Sequence, residues 1–221
     1  MKKLLITSIV VSILLLTGCG SENNNISVDS NTVQPTNTTT VRPENNQPVN
    51  QNNDSSVIYN DIFNEDGNLI SVCNLFKFLQ DAEPSFNLTE KAANTLEKEE
   101  KLFLTNDKSK LESMTDYSID NRMLTKNIDK YGDKLISVSD AFVIAINEET
   151  IENLTISTIQ VNNTDGDIYY VYSLNAHDDV FDGDIVNIHG LPVGKTAYEN
   201  VSGGSTHAVV LASAYIEKVE Q

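Results

Sequence analysis

Cys19 and Cys73, the three histidines His177, His189 and His207, and the acidic runs Asp165-Gly166-Asp167 and Asp178-Asp179 to Asp182-Gly183-Asp184 are the side chains of this sequence suited to ligation, titration or attack. The histidines lack zinc-site spacing and have no cysteine near them in sequence, so each reads as a surface or strand-end residue. Calcium takes several carboxylate oxygens, which keeps a calcium-dependent adhesion module open as one alternative. Neither acidic run keeps the EF-hand loop spacing, however, and Asp-Gly is ordinary turn chemistry. No Gly-x-Ser-x-Gly elbow, phosphate loop or His-Glu-x-x-His occurs. A carboxylate pair acting as acid and base need not be close in sequence, so a hydrolase stays open without a nameable pair. The expectation is no catalysis, no catalytic residue, no metal and no cofactor. Cys73 lies among Ile70, Val72, Leu75 and Phe76, where a small buried hydrophobe is expected over a reactive thiol.

Cys19 differs from these because of what precedes it. Lys2 and Lys3 open the chain, Leu4 to Leu16 is apolar apart from Thr7, Ser8 and Ser12, and Leu16-Thr17-Gly18-Cys19 closes the run. As a helix the run spans only about 20 Å, against about 30 Å of bilayer hydrocarbon, which suits a signal-peptide core. An uncleaved anchor, or a buried helix ending in Cys, is the other reading of the same residues. Leu16-Thr17-Gly18-Cys19 resembles the lipobox of bacterial lipoproteins. That resemblance implies cleavage between Gly18 and Cys19, removal of residues 1–18 as a signal peptide, and diacylglycerol on the Cys19 sulfur. It places the chain on the outer face of a bacterial cell membrane, with its bulk extracytoplasmic.

Residues 19–56 are rich in Asn, Thr, Ser, Gln and Pro, and hold isolated apolar side chains with no sustained period. Such a segment buries too little apolar surface to offset its ordering entropy, so a disordered tether is expected. From residue 20 it would reach about 120 Å fully extended and average roughly 35 Å as a coil.

Charge narrows the partners. The chain carries 15 basic and 32 acidic residues, so losing Lys2 and Lys3 takes the net charge from −17 to −19. A surface so acidic repels nucleic acid and anionic lipid headgroups, so membrane contact is expected through acylated Cys19. With Cys19 acylated, Cys73 has no intramolecular disulfide partner.

Residues 57–131 read as mostly helical. Val72, Leu75, Phe76 and Leu79 form an apolar stripe ended by Pro84. Asn87, with Glu90 three residues on, has the spacing of a capping box. The helix it would open runs to about Leu104, with Leu88, Ala92, Leu96 and Phe103 on one side, and a short helix is expected over 121–130.

Residues 132–221 change to a period of two. Ile136, Val138, Phe142, Ile144 and Ile146 predict one face of a long first strand, with Asp140 escaping that inward face through a bulge. The slip between Leu154/Ile156 and Ile159/Val161 suggests another bulge in the second strand. Asn163-Thr164-Asp165-Gly166 signals a hairpin turn. Ile168 to Leu174, Ile185 to His189 and His207 to Val219 make the later strands, with Gly190 to Gly204 as a Gly/Pro-rich loop. The fold class expected is α+β: a short helical region, then a small five-stranded antiparallel OB-like barrel. Gly183-Asp184-Ile185-Val186-Asn187-Ile188-His189-Gly190-Leu191-Pro192, Tyr198 to Gly204 and Ala214-Tyr215-Ile216-Glu217 resemble bacterial extracytoplasmic OB-fold proteins. Asn127 to Gly132 resembles the lead-in that those proteins carry. The resemblance implies fold and location rather than an activity.

Strands of an OB-fold often bind oligonucleotides or oligosaccharides, and Tyr169, Tyr170 and Tyr172 could stack on a ligand. From Lys134 onward there are three basic residues (Lys134, Lys195, Lys218) against 13 acidic ones, which excludes nucleic acid. A neutral glycan, a peptide or a protein remains. The expectation is a membrane-anchored extracytoplasmic interaction module; the alternatives are a hydrolase of cell-wall polymer and calcium-dependent adhesion.

Overall fold

The computed structural model describes residues 55–111, 113–199 and 203–220, apart from the side chains of 55–58 and 199. The lipobox, the Gly18–Cys19 cleavage point and the expected tether up to residue 54 lie outside the described residues. Helix α1 (Ser55–Ile62) starts two residues inside the segment expected as tether.

Helix α2 (Val72–Ala82) buries the anticipated stripe together with Cys73. Ser71 caps it, its hydroxyl accepting the Asn74 N–H at 3.1 Å, which satisfies one orphan donor of the first turn. Asn87 is not the cap of the next helix. Asn87–Leu88 is instead a two-residue strand, β1, and Thr89 caps helix α3 (Glu90–Lys98) by accepting the Ala92 N–H at 3.3 Å. The chain then breaks at Glu99 before the short helix α4 (Glu100–Leu104), so the single helix expected to Leu104 is two. Asp120 caps α5 (Asn121–Lys126), and a 3-10 turn over Ile128–Tyr131 completes the helical part.

Five longer strands follow: β2 (Ile136–Ile151), β3 (Leu154–Asn162), β4 (Ile168–Ser173), β5 (Ile185–Glu199) and β6 (Ser205–Lys218). Hydrogen bonding runs β1-β5-β2-β3-β4-β6, and β6 also pairs with β5, so β2, β3, β4, β6 and β5 form a ring. The pairing is not uniformly antiparallel, since β4 and β6 run parallel from Tyr169↔Val209 to Tyr172↔Ala212. The segment expected as a Gly/Pro loop is mostly strand β5. Pro192 and Gly194 lie at a register shift opposite Leu211 and Val210, where a bulge tolerates proline. Gly194 is needed for close approach: a Cβ there would sit 2.1 Å from the Asn87 carbonyl oxygen.

Two apolar cores result. One fills the ring with Ile136, Val138, Ala141, Val143, Ile159, Val161, Val171 and Leu211 among others. The other lies between the ring's outer face and the helices, joining Phe76, Leu96 and Phe103 to Ile156, Tyr172, Val193 and Val210. This explains the slip in β3 without a bulge in that strand. Leu154 and Ile156 face the helices, whereas Ile159 and Val161 face the ring, and both sides are buried. The extra residue sits on β2, between Val143 and Ala145.

Candidate interaction surface

The bulge anticipated at Asp140 is present, and it has an unanticipated consequence. Val138 pairs with Ile188 and Ala141 with Val186, so Ser139 and Asp140 together oppose Asn187. Asp140 has φ +51°, in the left-handed region, and donates its N–H to Asn187 Oδ1 at 3.0 Å. One inserted residue reverses the sides as far as the second bulge at Ile144, beyond which Ile146, opposite Ile159, packs against the inner core again. Ala141 and Val143 therefore take the inward places, and Phe142 and Ile144, expected inside, are outside at 45% and 38% exposure.

They lie on a part of the ring that no described helix covers. Phe142 is directly opposite Ile185 of β5, which is only partly buried. The turn after β4 continues alongside: Val143 donates to the Asp184 carbonyl and accepts from the Gly183 N–H, each at 2.8 Å. Asp182 Oδ1 accepts the Ile146 N–H at 2.9 Å. Phe181 belongs to this adjoining turn, its carbonyl accepting the Asp184 N–H at 3.1 Å, and is 61% exposed, with the Lys218 ammonium 5.6 Å from its ring centroid. Single exposed apolar residues are ordinary, whereas Phe142 and Ile144 on the sheet, with Ile185 opposite Phe142 and Phe181 in the turn bonded to Val143 between them, bring exposed apolar residues onto adjoining segments, as an interaction surface does.

The tyrosines singled out as stacking platforms are placed differently. Tyr169 points into the ring, while Tyr170 and Tyr172 point out into the helical layer, and none is more than 9% exposed. Phe76 meets Tyr172 edge-on at 5.9 Å, and Tyr198 meets Tyr170 at 5.7 Å. Strand alternation alone divides them between two faces, so they cannot present one platform. Burial also pushes the hydroxyls of Tyr169 and Tyr172 above the ordinary tyrosine range and that of Tyr170 up to about 12.

The three histidines are far apart in role. His177 is buried at the end of the ring, its Nε2 2.8 Å from Ser173 Oγ and its backbone N–H donating to Glu148 at 2.7 Å. Burial holds its imidazole below the usual pKa, against the opposing pull of Glu148 and Asp179. A serine beside a histidine is the beginning of a nucleophile–base pair, but Ser173 is only 1% exposed, so substrate has no access to it. His189 is also buried, its Nδ1 3.1 Å from Thr115 Oγ1, and His207 is exposed.

The acidic runs serve turns and ion pairs. Asn163 Oδ1 accepts the N–H groups of Asp165 and Asp167 at 3.0 and 2.8 Å, and the Asp167 carboxylate accepts from Asn121 Nδ2 at 2.7 Å. Asp184 Oδ2 accepts the Phe181 N–H and pairs with Lys218 at 2.7 Å, which holds its carboxyl below the usual range. Among the described residues no three His, Cys, Asp or Glu side chains are grouped to hold a metal ion. Cys73 is buried and unpaired in a disulfide, and burial pushes its thiol up.

A shallow cleft of about 400 Å³ lies elsewhere, lined by Glu90, Lys91, Asn94 and Asp129. Lys91 is held in it by Asp133 at 2.8 Å and by the Lys130 carbonyl at 2.9 Å. Among the described residues no helix is long and apolar enough to cross a membrane. No family model, curated protein or solved structure matches this chain.

Proposed function

We propose that this chain is a lipid-anchored extracytoplasmic module that binds a protein or peptide through the uncovered β2–β5 face, without catalysis. The observation that carries the reading is the exposure of Phe142 and Ile144 on β2 and of Phe181 in the turn hydrogen-bonded to Val143 between them. In this reading the ring is an OB-like barrel, supported by its long, bulged first strand and its closing β5–β6 pair. The ring's tyrosine-bearing face is filled by the chain's own helices, so recognition moves to another face. The glycan reading loses the stacking platform on which it rested. Anchoring rests on Leu16-Thr17-Gly18-Cys19 and on the acidic charge, which leaves acylation rather than a basic patch as the hold on the membrane.

The test is crosslinking and pull-down from intact producing cells with wild type, Cys19→Ala and the double variant Phe142→Ser/Phe181→Ser. Wild type should label with palmitate and retain a partner, Cys19→Ala should lose the label, and the double variant should keep the label and lose the partner. A partner retained by the double variant refutes the docking face.

One observation favours a second reading, an extracellular hydrolase of cell-wall polymer. Glu90 and Asp129 line the same cleft, as a carboxylate pair flanking a scissile bond would. Both are exposed and the cleft has no apolar wall to exclude water, so it ranks second. Release of soluble fragments from wall polymer by wild type, abolished in Glu90→Gln and in Asp129→Asn, would establish it over the binding module.

A further inference from the structure

We infer that the β2–β5 face takes a basic amphipathic segment of another protein, with apolar side chains on Phe142, Ile144 and Phe181 and lysine or arginine side chains toward the surrounding carboxylates. This rests on the docking reading above and adds the chemistry of the partner. Asp140 follows Ser139 in the bulge beside Phe142, and Asp178, Asp179, Asp182 and Asp184 flank Phe181 in sequence. All but Asp184 are exposed. The cation that the structure sets against this group is Lys218, and it is already engaged, 2.7 Å from Asp184 Oδ2 and 3.0 Å from the Asp179 carbonyl. An apolar centre with an acidic rim is complementary to an apolar segment carrying positive charge.

The same charge argues against other occupants. A second copy would bring the same carboxylates and a net charge of −17 to the contact. An anionic lipid surface would be repelled for the same reason. At Phe142 β2 is paired on both sides, with Asn162 of β3 and Ile185 of β5, so a partner cannot add itself as a strand at that residue. Recognition has to go through side chains.

The full chain is titrated with a short amphipathic peptide of Leu and Lys, and separately with its Leu/Glu counterpart, by fluorescence anisotropy at low and high salt. The Lys peptide should bind and weaken as salt screens the rim, and the Glu peptide should not bind. Phe142→Ser/Phe181→Ser should weaken binding about tenfold or more, the loss expected of central anchors. Asp140→Asn/Asp182→Asn should weaken it a few-fold and flatten the salt dependence. Circular dichroism checks that both variants fold, which the exposure of the four side chains favours. Equal binding of the two peptides, binding of neither, or Lys-peptide binding indifferent to both variants would overturn the inference; the last is general attraction to an acidic chain. If the peptides fail while Phe142→Ser/Phe181→Ser still strips a partner in cells, the basic class falls and the docking face stands.

Discussion

The backbone N–H of Asp140 donates to Asn187 Oδ1 at 3.0 Å, and that bond marks the point where the inside of the ring changes parity. Before it Ile136 and Val138 face in; after it Ala141 and Val143 do, and Phe142 is delivered to the surface.

Asp140 has φ +51°, a conformation that costs an L-residue roughly 1–2 kcal/mol, and somewhat less for Asp. Asp140→Gly should keep the bulge and be neutral or stabilising by up to about 1 kcal/mol in urea unfolding. Asp140→Val, β-branched at the same φ, should destabilise by about 2 kcal/mol. A stable Asp140→Val variant would contradict the strained bulge.

Gly194→Ala tests the seam between helices and ring. Its Cβ would fall 2.1 Å from the Asn87 carbonyl oxygen and 2.7 Å from the Phe86 ring, so backbone has to move. A loss of about 2–4 kcal/mol is expected, comparable to overpacking a tight core. An unchanged melting temperature would contradict the β1–β5 pairing.

The helical layer is integral to the fold. Phe76 of α2 is fully buried against Tyr172 of β4, so Phe76→Ala should cost about 3–5 kcal/mol. Far-UV and near-UV signals should still melt together. Separate transitions would mean that the helices leave the ring independently.

His177 gives a pH dependence with a defined sign. Its folded pKa lies below the unfolded value of about 6.5, so the unfolded state binds the proton first. Stability is therefore complete above about pH 6.5 and falls as pH drops below it. Thermal melts should show this decline well above the carboxylate range, and His177→Gln should remove it. A wild-type profile flat from pH 7 to 5 would contradict the buried neutral imidazole.

Cys73 should resist alkylation by a maleimide in the folded protein at neutral pH and react fully in denaturant, because its thiol is buried and its pKa raised. Rapid native labelling would show that α2 opens.

Much of the fold was legible from period and turn chemistry. The stripe Val72, Leu75, Phe76 and Leu79, the turn at Asn163–Gly166 and the interruption at Asp140 are local patterns, and each is realised. What escaped depends on tertiary context. Asn87 carries capping chemistry, but β5 claims it as a strand, and Thr89 takes the cap. Gly190 to Gly204 reads as a loop until Gly194 is seen to admit another backbone. The tyrosines of β4 look like a platform because sequence does not tell which strand faces the helices will cover. Asp140 is the signal in the sequence for the surface site: the bulge that lets the Asp escape also turns Phe142 and Ile144 outward.

The most direct test of the account is photocrosslinking in producing cells from a photoreactive phenylalanine at position 142, with position 97, on the exposed side of α3, as the control. The account predicts a discrete crosslinked protein from position 142, absent from position 97 and abolished when Phe181→Ser is added. No crosslink from position 142, or the same product from both positions, would contradict it.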